Sequence, residues 1–109
     1  MKALIFHGTE GSPKGNWFPW LKSKLITKGW DVIVPAFPTP ENQSLESWTL
    51  TFERQSSDDD IDLIVGHSCG GAFSLRLLEQ KIIQPKQVIL VSTVIDKIGN
   101  DYDVLNASF

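Results

Sequence analysis

Apolar residues in this chain come in short runs, separated by stretches rich in polar residues, glycine or proline. Ala3-Leu4-Ile5-Phe6 is a continuous apolar run, the pattern of a strand buried on both faces. Trp17, Trp20, Leu21 and Leu25 then recur at helical spacing, with Lys22, Lys24 and Lys28 facing away. Asn16 is the expected N-cap of this helix, Pro19 falls in its first turn, and Gly29 is the expected stop. Trp30-Asp31-Val32-Ile33-Val34 reads as the second strand, closed by Pro35, and a proline-stiffened loop follows through Pro40. Ser44 is expected to cap a second helix in which Leu45, Trp48 and Phe52 share a face. A third strand runs from Ile61 to Gly66. The helix after Gly71 is apolar nearly all round (Ala72, Phe73, Leu75, Leu77, Leu78), as a central helix should be. Pro85 breaks the chain before a fourth strand, Val88-Ile89-Leu90-Val91. Residues 94–109 have weak periodicity, with a short helix expected around Tyr102 to Asn106.

Strands alternating with helices predict an α/β fold: a four-stranded parallel sheet in three layers, with helices on both faces. Right-handed crossovers favour the strand order second, first, third, fourth. No repeat, low-complexity segment or linker divides the chain, so residues 1–109 are read as a single domain. In such sheets the chemistry gathers at the carboxyl ends of the strands. Here those ends carry His7-Gly8, Pro35-Ala36, Ser68 and Ser92.

The third strand leads directly into Gly66-His67-Ser68-Cys69-Gly70-Gly71, and a helix follows. Strand, Gly-x-Ser-x-Gly, helix is the sequence of a nucleophile elbow, which lifts the serine onto a sharp turn above the sheet. Gly66 and Gly70 flank the serine where a tight turn leaves no room for a Cβ, and Gly71 lets the helix start close to the strand. The plain alternative is a strand-to-helix connection rich in small residues. A nucleophilic serine needs a base, normally a histidine held by a carboxylate, and in this arrangement both follow the serine. No histidine follows Ser68.

Composition narrows the function classes. The chain is 41% apolar and 21% charged with a net charge of −3, ordinary for a soluble domain and without the basic footprint of nucleic-acid binding. Asp58-Asp59-Asp60 with Asp62 reads as a solvated loop, since a metal site would need further ligands. One cysteine excludes an internal disulfide. Met1-Lys2 is followed by only a short apolar run, which predicts no secretory leader, and no stretch approaches a membrane span, so a cytoplasmic location is expected. The loop Gly8 to Gly15 matches neither phosphate-binding glycine pattern, and no cofactor or metal is expected.

The chain resembles the small α/β-hydrolases of the retinoblastoma-binding-protein and YdeN type, a family of serine hydrolases. The resemblance rests on the opening strand with His7-Gly8, on Asn16-Trp17-Phe18-Pro19-Trp20-Leu21, on the Trp48 helix, on Gly66 to Gly71, and on Val88-Ile89-Leu90-Val91-Ser92. It covers essentially the whole chain but only the N-terminal part of the family's fold, whose further strands deliver the triad Asp and His. It implies a truncated α/β-hydrolase fold and hydrolysis of a small ester or amide by acyl transfer. Ser68 would be the nucleophile, with the backbone amides of Thr9 and Cys69 as the oxyanion hole. The other reading is a non-catalytic, truncated pseudo-hydrolase that binds or self-associates.

Several side chains carry two readings. His7 either fixes its loop by hydrogen bonding or substitutes for the missing base. His67 is expected to point away from the Ser68 hydroxyl in a structural role. Asp96, just past the fourth strand, is either an orienting acid or a solvated loop carboxylate; Asp101 and Asp103 have weaker claims. Cys69 heads a helix, which can lower a thiol pKa, but a small buried residue is the simpler reading. Trp17, Trp20, Trp30 and Trp48 are assigned mostly to packing, with one or two available to wall an acyl pocket. The strand 88–91 is expected to be an apolar edge, covered by the 94–109 tail or by a second copy in a homodimer.

Overall fold

In a computed structural model of the chain, which describes residues 1–56, 60–93 and 109, the apolar runs become the strands of one parallel sheet. The elements in order are β1 (Lys2–Phe6), α1 (Phe18–Thr27), β2 (Asp31–Ile33), α2 (Leu45–Gln55), β3 (Leu63–His67), α3 (Cys69–Glu79) and β4 (Gln87–Val91). The strand order is β2-β1-β3-β4, as the crossover rule predicts. β1 is central, and Ala3, Leu4, Ile5 and Phe6 are fully buried. Asp58, Asp59, Asp96, Asp101, Asp103 and the helix expected around Tyr102 to Asn106 lie outside the described residues.

Two hydrophobic clusters make the three layers. On one face of the sheet, Leu4, Phe6 and Ile64 pack against Trp48 and Phe52 of α2 and Phe73 and Leu77 of α3. On the other, Ala3, Leu63 and Val65 pack against Trp17 and against Leu21 and Leu25 of α1. Helices thus cover both faces of the sheet, the three-layer α/β arrangement that the sequence pattern predicts.

Local signals explain where the helices begin and end. Ser44 caps α2: its side chain accepts from the Ser47 N–H at 3.0 Å, and Ser47 Oγ accepts from the Ser44 N–H at 3.1 Å. α1 stops as Gly29 predicts. The Trp30 N–H donates to the Leu25 carbonyl and the Gly29 N–H to that of Ile26, with Gly29 at φ 86°, a Schellman ending.

Two sequence expectations are corrected here. Asn16 is not the N-cap of α1: Trp17 occupies that position without a side-chain cap, and Asn16 sits at φ 46° in the preceding turn. Asparagine tolerates the left-handed region, so the turn after Gly15 uses it there instead. Trp20 is not core but 62% exposed. Adjacent helical residues stand about 100° apart, so Trp20 lies to the side of the stripe through Trp17, Leu21 and Leu25. Among the described residues no helix is long and apolar enough to cross a membrane.

Candidate functional site

The carboxyl ends of β1 and β3 meet at Ser68. β3 ends at His67, α3 begins at Cys69, and Ser68 alone makes the turn, with φ 54° and ψ −121°. A non-glycine residue at positive φ is strained by order 1–3 kcal/mol. Hydrogen bonds on both sides hold it there. The Ser68 N–H donates to the Val91 carbonyl of β4 at 2.9 Å, and the Ser68 carbonyl accepts from the Gly71 N–H at 3.0 Å. The half-buried Ser68 side chain makes no cap bond to its own helix.

The glycines around this turn are required by close approach. A methyl on Gly66 would lie 2.6 Å from the Gly71 Cα, and one on Gly70 would lie 2.5 Å from the His7 carbonyl oxygen. The start of α3 therefore rests directly on the ends of β1 and β3. Gly8 brings the loop after β1 over the serine: a methyl there would stand 3.0 Å from Ser68 Cβ and 3.4 Å from the Cys69 nitrogen.

His7 is fully buried, and both its ring nitrogens are engaged. Nε2 accepts from the Phe37 N–H at 2.9 Å, which leaves the proton on Nδ1 to donate to the Gly8 carbonyl at 2.8 Å. Burial holds its pKa below the usual value, partly opposed by the bond to Gly8, so the ring is neutral. Neither nitrogen is free to take a proton from Ser68. The Gly8 carbonyl also accepts from the Gly11 N–H at 3.0 Å. Those two bonds fix the Gly8–Thr9 peptide plane, and in a trans peptide the Thr9 N–H points opposite to the Gly8 carbonyl.

Cys69 is buried as the first residue of α3, and its N–H has no carbonyl one turn back to bond. Burial pushes its thiol up to about 11, with a smaller opposing effect from the Thr9 hydroxyl bonded to it. The sulfur is a neutral thiol at physiological pH, without the thiolate character of a reactive cysteine. His67 stands edge-on to Trp17 and Phe18, with ring centroids 5.8 and 5.7 Å away, and burial lowers its pKa.

The fold thus brings Ser68, Cys69, Gly8-Thr9 and His7 to one place, while Asp96 lies outside the described residues. No group of three metal-ligating side chains occurs among the described residues. Sequence reasoning missed Gln43. Its Nε2 donates to Thr9 Oγ1 at 3.0 Å and approaches Cys69 Sγ at 3.7 Å, while its Oε1 accepts from Thr39 Oγ1 at 2.7 Å. The sole sequence signal was position, directly before the Ser44 cap. Thr93, whose side chain covers the Cα of Gly71, was missed as well.

Comparison with known proteins adds the following. A family model described as Serine hydrolase matches residues 3–107. YdeN of Bacillus subtilis (strain 168), a protein named as a hydrolase, is 35% identical over 95 residues, covering 84% of this chain and 50% of YdeN. The crystal structure of the B. subtilis ydeN gene product superposes with a TM-score of 0.76 at 29% identity, over 95% of this chain and 57% of that one. An extracellular α/β-hydrolase from a Paenibacillus species, described as sharing structural and functional homology with tobacco salicylic acid binding protein 2, has a TM-score of 0.67 at 18% identity. It is covered over 42% of its length, against 89% of this chain, and shows the fold alone. The chain spans about half the length of the curated relative it matches.

Proposed function

The chain belongs to the serine hydrolase family, and from that premise we propose that the turn at Ser68 is a nucleophile elbow for acyl transfer from a small ester or amide. The observation that carries the reading is the Ser68 backbone, held at φ 54° between a parallel strand and a helix, with Gly8 packed against it. In this reading Ser68 Oγ attacks the substrate carbonyl carbon as its proton passes to a base, and the carbonyl electron pair moves onto oxygen. Collapse breaks the bond to the leaving alcohol or amine, which takes the proton, and water then releases the acyl group from Ser68. The N–H groups of Cys69 and Thr9 receive that charge; removing one such donor costs about 10²–10³ in rate in other hydrolases. His7 contributes by fixing the Gly8–Thr9 peptide.

The base is the remaining requirement. His7 has both nitrogens engaged and His67 packs against Trp17 and Phe18. A histidine and carboxylate outside these residues complete the triad in this proposal, which fits a chain spanning half of its relative.

The test is hydrolysis of an activated aryl ester. The isolated chain turns over well below about 1 per second, because general-base help is worth about 10²–10⁴. Ser68→Ala removes most of what remains. An unchanged rate in Ser68→Ala contradicts the proposal. The engaged nitrogens of His7 favour one second reading, a non-catalytic member that binds ligand; there Ser68→Ala leaves binding intact and no turnover exists to lose.

A further inference from the structure

We propose that Gln43 is a positioning residue for the oxyanion site, locking Thr9 and Cys69 against each other so that their backbone N–H groups converge above Ser68. The inference rests on the elbow reading of Ser68 and deepens it.

Gln43 reaches the two residues whose amides that reading uses. Its Nε2 lies 3.0 Å from Thr9 Oγ1 and 3.7 Å from Cys69 Sγ, so one amide nitrogen spans the loop after β1 and the first residue of α3. The other end of the amide is fixed too. Thr39 Oγ1 donates to Gln43 Oε1 at 2.7 Å, which turns Nε2 toward Thr9 and Cys69. Thr39 Oγ1 in turn accepts from the Glu10 N–H at 2.7 Å, tying down the residue after Thr9. The network therefore holds the 8–11 loop at two neighbouring positions.

The anchor itself is rigid. Gln43 directly precedes Ser44, whose reciprocal bonds with Ser47 close the first turn of α2. A site is held best when its supporting side chains stand on fixed elements. Gln43 is half-buried, outside the fully buried core. One amide nitrogen thereby contacts both residues at once.

The experiment uses the ¹⁵N-labelled chain and a fluorophosphonate, carried to complete reaction at high pH. Mass spectrometry gives the rate of adduct formation at Ser68, and amide shifts are compared before and after. In the native sequence, the Thr9 and Cys69 amides both move downfield as the phosphonyl oxygen takes the oxyanion position. In Gln43→Met, which keeps volume and loses the amide, labelling slows by about ten-fold, since a misplaced donor is a fraction of a lost one. The Thr9 amide then no longer moves. Gln43→Glu retains acceptors to which the Thr39 and Thr9 hydroxyls can both donate, and recovers part of the rate. Gln43→Met and Thr9→Val are non-additive when combined, because each removes the same bond. Should Gln43→Met fail to fold, Thr39→Val releases the far end of the amide and gives the same two readouts with a smaller loss.

Unchanged labelling in Gln43→Met, with both amides still moving, overturns the role of Gln43 and leaves the elbow standing. An adduct on Ser68 with neither amide moving in the native chain overturns the oxyanion assignment. No adduct on Ser68 overturns the elbow reading, and this inference with it.

Discussion

His7 cannot be protonated without losing the acceptor that holds Phe37, since a charged imidazole has only donors. Its pKa in the folded chain is below the usual 6.5, chiefly because burial disfavours the charged ring. As pH falls through about 6.5, the unfolded chain takes up the proton first. Stability is therefore fully present above that value and declines below it. Urea unfolding between pH 8 and pH 5 should show this decline, and His7→Gln should flatten much of it. His67 is shifted in the same direction but is half-exposed, so His67→Gln should change the slope less. A His7 ring that titrates at or above 6.5 in the folded protein would contradict this account. The bond from Nδ1 to the Gly8 carbonyl was foreseeable from a histidine preceding a glycine loop. The bond from Phe37, thirty positions along the chain, was not.

At the scale of the elements, the turn between β3 and α3 depends on absent side chains. A methyl on Gly70 meets backbone carbonyls of Phe6 and His7, which cannot swing away as a side chain can. Gly70→Ala should cost about 1–3 kcal/mol or more, the range for overpacking a dense site. A shifted denaturant midpoint with unchanged m-value would show it. Gly15→Ala is the control, because its methyl would find its nearest neighbour at an ordinary 3.5 Å. An equal effect at both positions would remove the argument from close approach.

The elements themselves were legible because their signals are local. Apolar runs gave four strands, Ser44 marked the start of α2, and Gly29 marked the end of α1. Asn16 misled because capping and left-handed turns favour the same residue. Trp20 misled because a residue at the border of an apolar stripe fits the period without reaching the core. Gln43 left no trace in the pattern: its partners Thr9 and Cys69 lie 34 and 26 positions away.

For the whole molecule, the sheet has two edges of different character. β2 is a three-residue edge, too short to offer much of a template. β4 is five residues long, and Ile89 and Leu90, which alternate to opposite faces, are 42% and 41% exposed. An apolar edge strand is a template for pairing, so strand 88–91 is expected to be covered, by the 94–109 tail, of which residues 94–108 lie outside the described residues, or by a second copy. If a second copy covers it, sedimentation shows a dimer that Leu90→Lys dissociates; a monomer at high concentration, unchanged by Leu90→Lys, contradicts the second copy. The placement of Ser68 is equally a property of the whole fold, since β1, β3, β4 and α3 all contribute to its turn. Its reactivity should exist only in the folded chain. The most direct measurement is fluorophosphonate labelling of the intact protein, folded and in urea, with the adduct mapped by mass spectrometry. The account predicts slow modification confined to Ser68 in the folded chain, abolished by urea and by Ser68→Ala. Modification spread over other serines, or equal in urea, would contradict it.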